Sequence, residues 1–276
     1  MSITGAVFII TFSICSIAAL FIPFAGIVGY VLHYHTYPEN SWWGRGLASS
    51  GVRFGLTVSI FLFLGTLRNL PHLQYRQRLT FHERLYLYYL AWMLVTRGLT
   101  GLQIELDYLD KMLKISVFIL ILTHVVVTPT LYSHFSWLMV CCGLYLGYEA
   151  RLVPASYYYE GRLNGGVGGP DFSDSNALAA HMVALLSFAG VQYFRSRWKG
   201  KLISLVSAAF ILNTDVLTRS RAAFLALLVG GVAALVWIPR GGLRTILPVI
   251  LAATIGASVL IDKTFLDRMG TIKYEE

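Results

Sequence analysis

The segment 159–181 brings together one arginine, a run of glycines and several short polar side chains. Five glycines lie between Gly161 and Gly169, and Pro170 follows them. Glycine and proline stop a helix, and glycine lets the backbone approach a ligand closely. Arg162 presents a planar fork of N–H donors that matches phosphate oxygens. The stretch therefore suits an anionic group such as a diphosphate, although a flexible outer loop with one solvated arginine has the same pattern.

A helix is predicted to begin directly after this loop. Asp174 or Ser175 can cap its first turn through a side-chain oxygen. The first N–H groups of a helix have no partner within the helix and carry partial positive charge. We therefore expect the start of this helix, facing the glycine-rich loop, to attract the same anion. An ordinary helix cap is the alternative interpretation.

Two further arginines lie between two apolar runs in the segment 213–224. Arg219 and Arg221 have almost no loop to hold them, and a cation costs roughly 2.5–3.5 kcal/mol at the centre of a membrane span and less near its surface. Asp215 precedes Arg219 by four residues, so the two side chains are predicted to pair on one helical face. The segment suits a cationic site at a membrane surface. Arginines that extend to the lipid headgroups are the alternative.

Composition indicates the solvent around these segments. Of the 276 residues, 56% are hydrophobic and 13% are charged, and the mean hydropathy is +0.64. Soluble domains carry about 25% charged residues, so we predict an integral-membrane protein in contact with the lipid bilayer. The net charge of +8 is explained by basic loops that orient the chain, and no nucleic-acid partner is inferred. The first apolar run has no basic leader or cleavage site, so it is predicted to be a retained span.

Apolar runs long enough to cross a hydrocarbon core of ~30 Å recur along the chain. They predict spans near residues 3–32, 52–69, 84–98, 112–129, 135–150, 174–194, 202–218, 221–238 and 244–262. The first run is too long for one straight crossing and contains Pro23 and Gly26, so it is kinked or divides into two pieces. The sequence therefore predicts a single all-α membrane domain over residues 1–276, a polytopic bundle of about nine or ten spans.

Basic residues cluster in three of the short loops between these spans. The clusters are Arg68, Arg76, Arg78 and Arg84; Arg195, Arg197, Lys199 and Lys201; and Arg240 with Arg244. When the spans alternate, all three clusters fall on one side, which the positive-inside rule assigns to the cytoplasm. The outer face then receives segments 33–51, 99–111, 151–173 and 219–220 and the tail from 263. Arg162, Arg219 and Arg221 are thus predicted on the outer side.

The histidines and cysteines give weaker signals. His181 follows Asp174 on roughly the same helical face, which points it towards the predicted site; a histidine hydrogen-bonded within a helix interface is the alternative. His33 and His35 have no carboxylate or cysteine frame around them, so no metal site is predicted. The three cysteines lie in apolar spans and are predicted to be small buried hydrophobic residues.

Together these segments resemble the O-antigen ligase/polymerase superfamily. The shared pattern is an arginine, a glycine-rich turn and Asp-x-Asn-Ala-Leu-Ala opening a span, followed about forty residues later by Thr-x-Ser-Arg-Ala. The usual family forms have Asp-Pro-Asn and Thr-x-Ser-Arg-Gly, where this chain has Ser175 and Ala222. The opening region, with Pro38, Trp42 and Trp43, is similar to the O-glycosylation ligase branch associated with exosortase systems.

The resemblance implies an inverting, metal-independent membrane glycosyltransferase with a helical fold of the GT-C type and no cofactor. Such enzymes take a glycan from undecaprenyl diphosphate on the periplasmic face of the bacterial inner membrane. They pass it to lipid A core, a growing polysaccharide or a protein hydroxyl. By motif, Arg162 and Arg221 match the arginines that clamp the diphosphate leaving group. Asp174 and Asn176 match the pair that opens the span, and Arg219 is a supporting charge.

The resemblance also implies residues beyond this sequence. Family members continue after a stretch like 265–276 into a large periplasmic loop, whose histidine is the general base, and then into further spans. We therefore expect this sequence to be the front part of a longer chain. Asp215, through its pairing with Arg219, and His181 complete the residues expected at the substrate site.

Two other functions fit the same residues. A transporter or flippase for a lipid-linked or anionic substrate also uses arginines at the membrane surface. Against it, the polar residues cluster at one face, and the centres of the spans carry few ionisable groups. A non-catalytic remnant is the third possibility. The motifs do not separate ligase from polymerase, and they do not identify the glycan or the acceptor.

Overall fold

The structure, a computed structural model, describes residues 2–71, 79–100 and 106–237, which are predominantly helical. Its α-helices are α1 (Ile3–Ala19), α2 (Pro23–Thr36), α3 (Arg45–Ala48), α4 (Phe54–Asn69), α5 (Phe81–Thr100), α6 (Leu106–Val125), α7 (Pro129–Leu152), α8 (Ser175–Arg195), α9 (Trp198–Thr218) and α10 (Arg221–Trp237). Between α7 and α8 the chain forms the antiparallel strands β1 (Tyr158–Tyr159) and β2 (Arg162–Leu163), flanked by single 3₁₀ turns at Ala155–Tyr157 and Pro170–Phe172. The prediction of a helical fold is confirmed, and the short hairpin is an addition to it.

The first apolar run divides into two helices, as its length predicts. α1 ends at Ala19 and α2 begins at Pro23, whose ring suits the first helical turn and whose missing N–H is not needed there. Gly26 then allows close packing, since a Cβ at this position would lie 2.8 Å from Cβ of Ala19 and 3.0 Å from Cβ of Leu62. The break is therefore followed by tight contact of α2 with α1 and α4.

The other predicted spans within the described residues fall on single helices, α4 to α10 in chain order. Their ends differ from the predicted ones by up to several residues. α7, for example, begins at Pro129 because Thr128 caps it: the Thr128 hydroxyl accepts a hydrogen bond from the N–H of Leu131, and its carbonyl accepts one from Tyr132. The predicted span 244–262 lies outside the described residues.

The described residues fall into two compact units along the chain. The first comprises those within 1–5, 32–51 and 136–276, and the second those within 6–31 and 52–135. In the second unit α5 begins with a capping box, in which the Thr80 hydroxyl accepts from the N–H of Glu83 and the Glu83 carboxylate accepts from the N–H of Thr80.

The first unit contains the predicted site residues, and its core lies between α7, α8, α9 and the loop that precedes α8. The buried side chains are Leu146, Ala150, Leu163, Val167, Phe172, Leu178, Met182, Leu185 and Ile211. Small residues of α7 let α9 come close, since a Cβ at Gly143 would lie 2.6 Å from Cδ1 of Ile211. Because Leu163, Val167 and Phe172 belong to this core, the loop is fixed to the helices beneath it.

Two helices in the described ranges, α8 and α9, have the length and composition needed to cross a membrane. α1, α4 and the first part of α10 (Arg221–Gly231) are also apolar but are shorter. These helices are consistent with association with a membrane.

Candidate functional site

The hairpin of β1 and β2 positions Arg162. Its two-residue turn has Glu160 and Gly161 at φ values of 48° and 71°, and positive φ at both central residues is the condition for a type I′ turn. Tyr159 pairs with Arg162 across the hairpin, and the neighbouring Leu163 is fully buried. The Arg162 side chain therefore projects from a short strand that the core holds in place.

The Arg162 guanidinium joins the ends of two helices. Its Nε donates a hydrogen bond of 3.1 Å to the carbonyl oxygen of Thr218, at the end of α9. Its Nη2 donates one of 3.0 Å to Oδ1 of Asn176, in the first turn of α8. A fork of fixed N–H donors can make both bonds at once. Arg162 thus holds the C-terminal end of α9 beside the N-terminal end of α8.

Asn176 and Ser220 connect α10 to the same point. The Ser220 hydroxyl donates a hydrogen bond of 3.0 Å to Oδ1 of Asn176, so this amide oxygen accepts from both Ser220 and Arg162. Ser220 also caps α10, because its Oγ accepts from the N–H of Ala223 and its carbonyl oxygen from the N–H of Phe224. Three helix ends are therefore linked through one asparagine side chain.

Arg219 occupies a left-handed backbone conformation between α9 and α10, with φ 50° and ψ 37°. This conformation ends α9 in the way that glycine usually does. The Arg219 guanidinium lies against the hairpin turn, where a Cβ on Gly161 would be only 2.6 Å from Nη1. Gly161 is needed here both for its positive φ and for the space that its missing side chain leaves.

These residues surround an open concavity of about 410 Å³, here called the arginine concavity. Its lining consists of Arg162, Asn176, Arg219, Arg221 and Ala222. Within the described residues that lining contains three cations and no carboxylate. The start of α10 adds the positive end of a helix dipole. Such a surface favours a multiply charged anion whose oxygens can accept several charge-assisted hydrogen bonds.

The start of α8 differs from the prediction. Oδ2 of Asp174 accepts hydrogen bonds from the N–H groups of Asn176 and Ala177, and Oδ1 of Asn164 accepts one from Ser175. The N–H of Leu178 is bonded to the Asp174 carbonyl oxygen. The expectation of N–H groups at this helix start that are available to an anion is therefore wrong. Asp174 is the helix cap, and it is not among the residues that line the arginine concavity.

The predicted pairing of Asp215 with Arg219 is also not found. Both carboxylate oxygens of Asp215 are buried without a hydrogen-bond partner in the part of the chain that the structure describes. The reason lies in the backbone: the left-handed conformation of Arg219 takes its side chain off the helical path on which an i,i+4 pair would form. Asp215 is buried among the helices, and it is not among the residues that line the concavity.

His181 contacts another histidine. Its Nε2 lies 2.9 Å from Nε2 of His35, at the end of α2, and the Phe172 ring is 4.7 Å from the His181 ring between centroids. His181 is therefore a hydrogen-bonded histidine in a packed interface, and it does not line the arginine concavity. Among the described residues no group of three or more histidine, cysteine, aspartate or glutamate side chains is arranged to hold a metal ion.

Sequence reasoning missed several contacts in and around this site. Asn164 and Thr218 have ordinary local patterns, and their parts depend on contacts with residues 11 and 56 positions away. His35 is separated from His181 by 146 positions, a pairing that no local spacing can indicate. Ser220 could have been found as a cap, since a serine directly precedes the helix that begins at Arg221.

The chain matches no protein-family model, no curated protein and no solved structure.

Proposed function

We propose that this chain functions as a membrane glycosyltransferase that moves a glycan from undecaprenyl diphosphate to an acceptor hydroxyl, as its resemblance to the O-antigen ligase/polymerase superfamily implies. The observation that carries the proposal is the arginine concavity, in which Arg162, Arg219 and Arg221 converge with Asn176. Arg219 and Arg221 follow Arg162 by 57 and 59 positions in the chain, so the fold brings together the two motifs on which the resemblance rests.

The exposed faces of the helices support a multi-pass membrane protein with a helical bundle of the GT-C type. Large apolar side chains recur at helical spacing on the exposed faces of α1, α4, α9 and α10. Examples are Ile3, Val7, Ile10, Ile14 and Ile17; Leu56, Ile60, Phe63 and Leu67; Leu202, Ile203 and Val206; and Leu225, Leu228 and Val229. Water-soluble monomers rarely expose continuous apolar surface on this scale, whereas lipid chains cover it without cost.

The ends of α8 and α9 support a periplasmic site in the inner membrane. The arginine concavity lies where α8 begins and α9 ends, because Arg162 bonds to both Asn176 and Thr218 there. The basic cluster of residues 195–201 lies at the other ends of the same two helices. Since each helix has 21 residues and is about 31 Å long, positive charge on the cytoplasmic side leaves the concavity on the outer side.

In the proposed reaction, an acceptor hydroxyl attacks the anomeric carbon of the first sugar from the face opposite the diphosphate. The bond between the anomeric carbon and the diphosphate oxygen breaks, and the diphosphate keeps the electron pair. The arginines stabilise the negative charge that develops on the leaving group, a preorganised electrostatic contribution. The acceptor proton passes to a general base, a role that none of the described residues is assigned.

The proposal is tested with Arg162→Ala and Arg221→Ala in the full-length protein, in proteoliposomes that contain undecaprenyl-diphosphate-linked glycan and acceptor. Each substitution is expected to lower the rate of glycan transfer by about 10²–10³-fold, the usual effect of removing one charge-stabilising donor. Arg195→Ala removes an exposed arginine at the other end of α8 and is expected to keep the wild-type rate. Unchanged transfer in both site variants would reject the diphosphate clamp.

The alternative function, transport of a lipid-linked substrate, is separated by the same proteoliposomes. A flippase would move labelled donor between leaflets without forming a new glycosidic bond. A product whose mass equals acceptor plus glycan supports transfer, while movement of intact donor without product supports transport.

A further inference from the structure

A second concavity, of about 320 Å³, lies in the same unit as the arginine concavity. Three segments line it: residues 40–42 after α2, Glu149 and Leu152 at the end of α7, and the loop from Val153 to Gly168. It is here called the tryptophan concavity, after Trp42. The loop that forms one of its walls also carries Arg162, so a single segment contributes to both concavities.

Two aromatic rings are presented at this concavity. Trp42 is 60% exposed and Tyr157 is 46% exposed, although each has a large apolar ring that burial would favour. Tyr157 is held in place, because its carbonyl oxygen accepts a hydrogen bond of 2.9 Å from the N–H of Asn164. Its ring lies against the backbone of Gly166, where an added Cβ would be 2.9 Å from Cγ of the ring. The concavity thus presents two aromatic rings to a ligand, and the position of Tyr157 is fixed by its neighbours.

A carboxylate, that of Glu149, also lines this concavity. The Glu149 side chain lies beside the side chains of Trp42 and Tyr145, and the Tyr145 hydroxyl in turn accepts a hydrogen bond of 3.1 Å from Nε1 of Trp43. A carboxylate has two oxygens with about four acceptor positions. Two neighbouring donors therefore leave acceptor capacity at Glu149 for hydroxyl groups of a ligand.

This combination selects for one class of ligand. The negative face of an aromatic ring attracts the weakly positive C–H groups on the apolar face of a pyranose ring. A carboxylate accepts hydrogen bonds from the hydroxyl groups at the edge of that ring. Asn40 and Ser41 add polar groups to the rim. An apolar lipid chain would satisfy none of the remaining acceptor positions of Glu149, and an anion would be repelled by it.

We propose that the tryptophan concavity binds a pyranose unit of the donor glycan, with the sugar face on Trp42 and Tyr157 and its hydroxyls on Glu149. This inference rests on the proposed function in its choice of saccharide. Because the loop of residues 153–168 contributes to both concavities, the proposal assigns the diphosphate and a sugar of the same donor to the two surfaces. Specificity for the glycan then depends on the tryptophan concavity, and stabilisation of the leaving group depends on the arginines.

The test uses the full-length protein purified in detergent and the oligosaccharide that mild acid releases from the lipid-linked pool of the source organism. Binding is measured by saturation-transfer NMR and by the quenching of tryptophan fluorescence. Trp42→Ala is expected to raise the Kd about tenfold, the usual effect of removing an aromatic anchor. Trp42→Phe is expected to recover most of the affinity, and Glu149→Gln to weaken binding several-fold.

Trp198→Ala is the matched control, because Trp198 is 70% exposed and begins α9 at its other end. The proposal is overturned if the oligosaccharide does not bind to the wild-type protein, if Trp42→Ala binds like the wild type, or if Trp198→Ala weakens binding equally. If the proposed transferase function is wrong, glycan transfer is unchanged in the arginine variants. That result is separate from the result of the binding experiment.

Discussion

Nε of Arg162 donates a hydrogen bond of 3.1 Å to the carbonyl oxygen of Thr218, 56 positions later in the chain. The bond uses a carbonyl group at the end of α9 that has no partner within its own helix. It also fixes the arginine side chain, since Asn176 holds another nitrogen of the same guanidinium. Arg162, which is proposed to contact the diphosphate, therefore also caps the C-terminal end of α9. Its substitution affects both the proposed ligand contact and this cap.

Replacing Arg162 with lysine separates charge from geometry. Lysine keeps the positive charge, but its ammonium group does not reproduce the planar fork that contacts both Thr218 and Asn176. We expect Arg162→Lys to lower the rate of glycan transfer at least tenfold, and to lower it less than Arg162→Ala does. Arg195→Lys is the control. If lysine restores the full rate in the proteoliposome assay, charge alone is sufficient and the fork is not required.

Gly161→Ala is expected to displace Arg219. The new methyl group would lie 2.6 Å from Nη1 of Arg219 in a backbone conformation with φ 71°, which alanine adopts at a cost of about 1–2 kcal/mol. We expect transfer to fall while the protein remains folded. Gly190→Ala is the control, because a Cβ there meets nothing within 4 Å and alanine favours the helix by about 0.5–1 kcal/mol. Equal activity of the two variants would contradict the placement of Arg219.

Asp174→Ala is expected to act on stability. Asp174 accepts two N–H groups at the start of α8, and loss of such a cap costs about 1 kcal/mol. The midpoint of thermal unfolding in detergent should fall for Asp174→Ala and fall less for Asp174→Asn, which can still cap the helix. Binding of inorganic diphosphate, measured by calorimetry, should remain at the wild-type value. A large loss of diphosphate affinity with unchanged stability would restore Asp174 as a ligand contact.

Asp215→Asn is expected to raise stability or leave it unchanged. The carboxylate of Asp215 is buried, and its two oxygens have no hydrogen-bond partner among the described residues. Burying a polar group without a partner costs about 1–3 kcal/mol of folding free energy. The neutral amide of asparagine removes the part of this cost that comes from burying a charge. The thermal midpoint of Asp215→Asn should therefore equal or exceed that of the wild type. Asp110→Asn, at an exposed residue paired with Lys114, is expected to change stability by less than about 0.5 kcal/mol. A clear loss of stability in Asp215→Asn would show that the carboxylate has a favourable partner.

The long helices could be predicted from the sequence because each is an apolar run, whereas the four-residue α3 lies in a segment that was predicted to be a loop. Pro23 marks the break in the first run, and Asp174 marks the start of α8. These signals act over one helical turn, so they can be recognised locally. The membrane topology that follows from them remains a prediction.

The site was predictable only in part, because its geometry depends on long-range contacts and on backbone conformations that the residue types disfavour. Asp215 and Arg219 have the spacing of a helical pair, but Arg219 adopts the left-handed conformation that asparagine and glycine favour. The hairpin escaped prediction because its strands have two residues each and its turn begins with Glu160, a residue uncommon at that position.

The connection between α9 and α10 consists of Arg219 and Ser220 alone. Residues are spaced by about 100° around a helix, so one inserted residue would rotate Arg221 through more than a quarter of a turn and carry the apolar face of α10 with it. The connection thus fixes the angular position of the exposed apolar face of α10 relative to the cationic surface. Single-residue insertions should therefore be tolerated less well between α9 and α10 than in longer loops. In a library of such insertions, active variants should be missing at this connection.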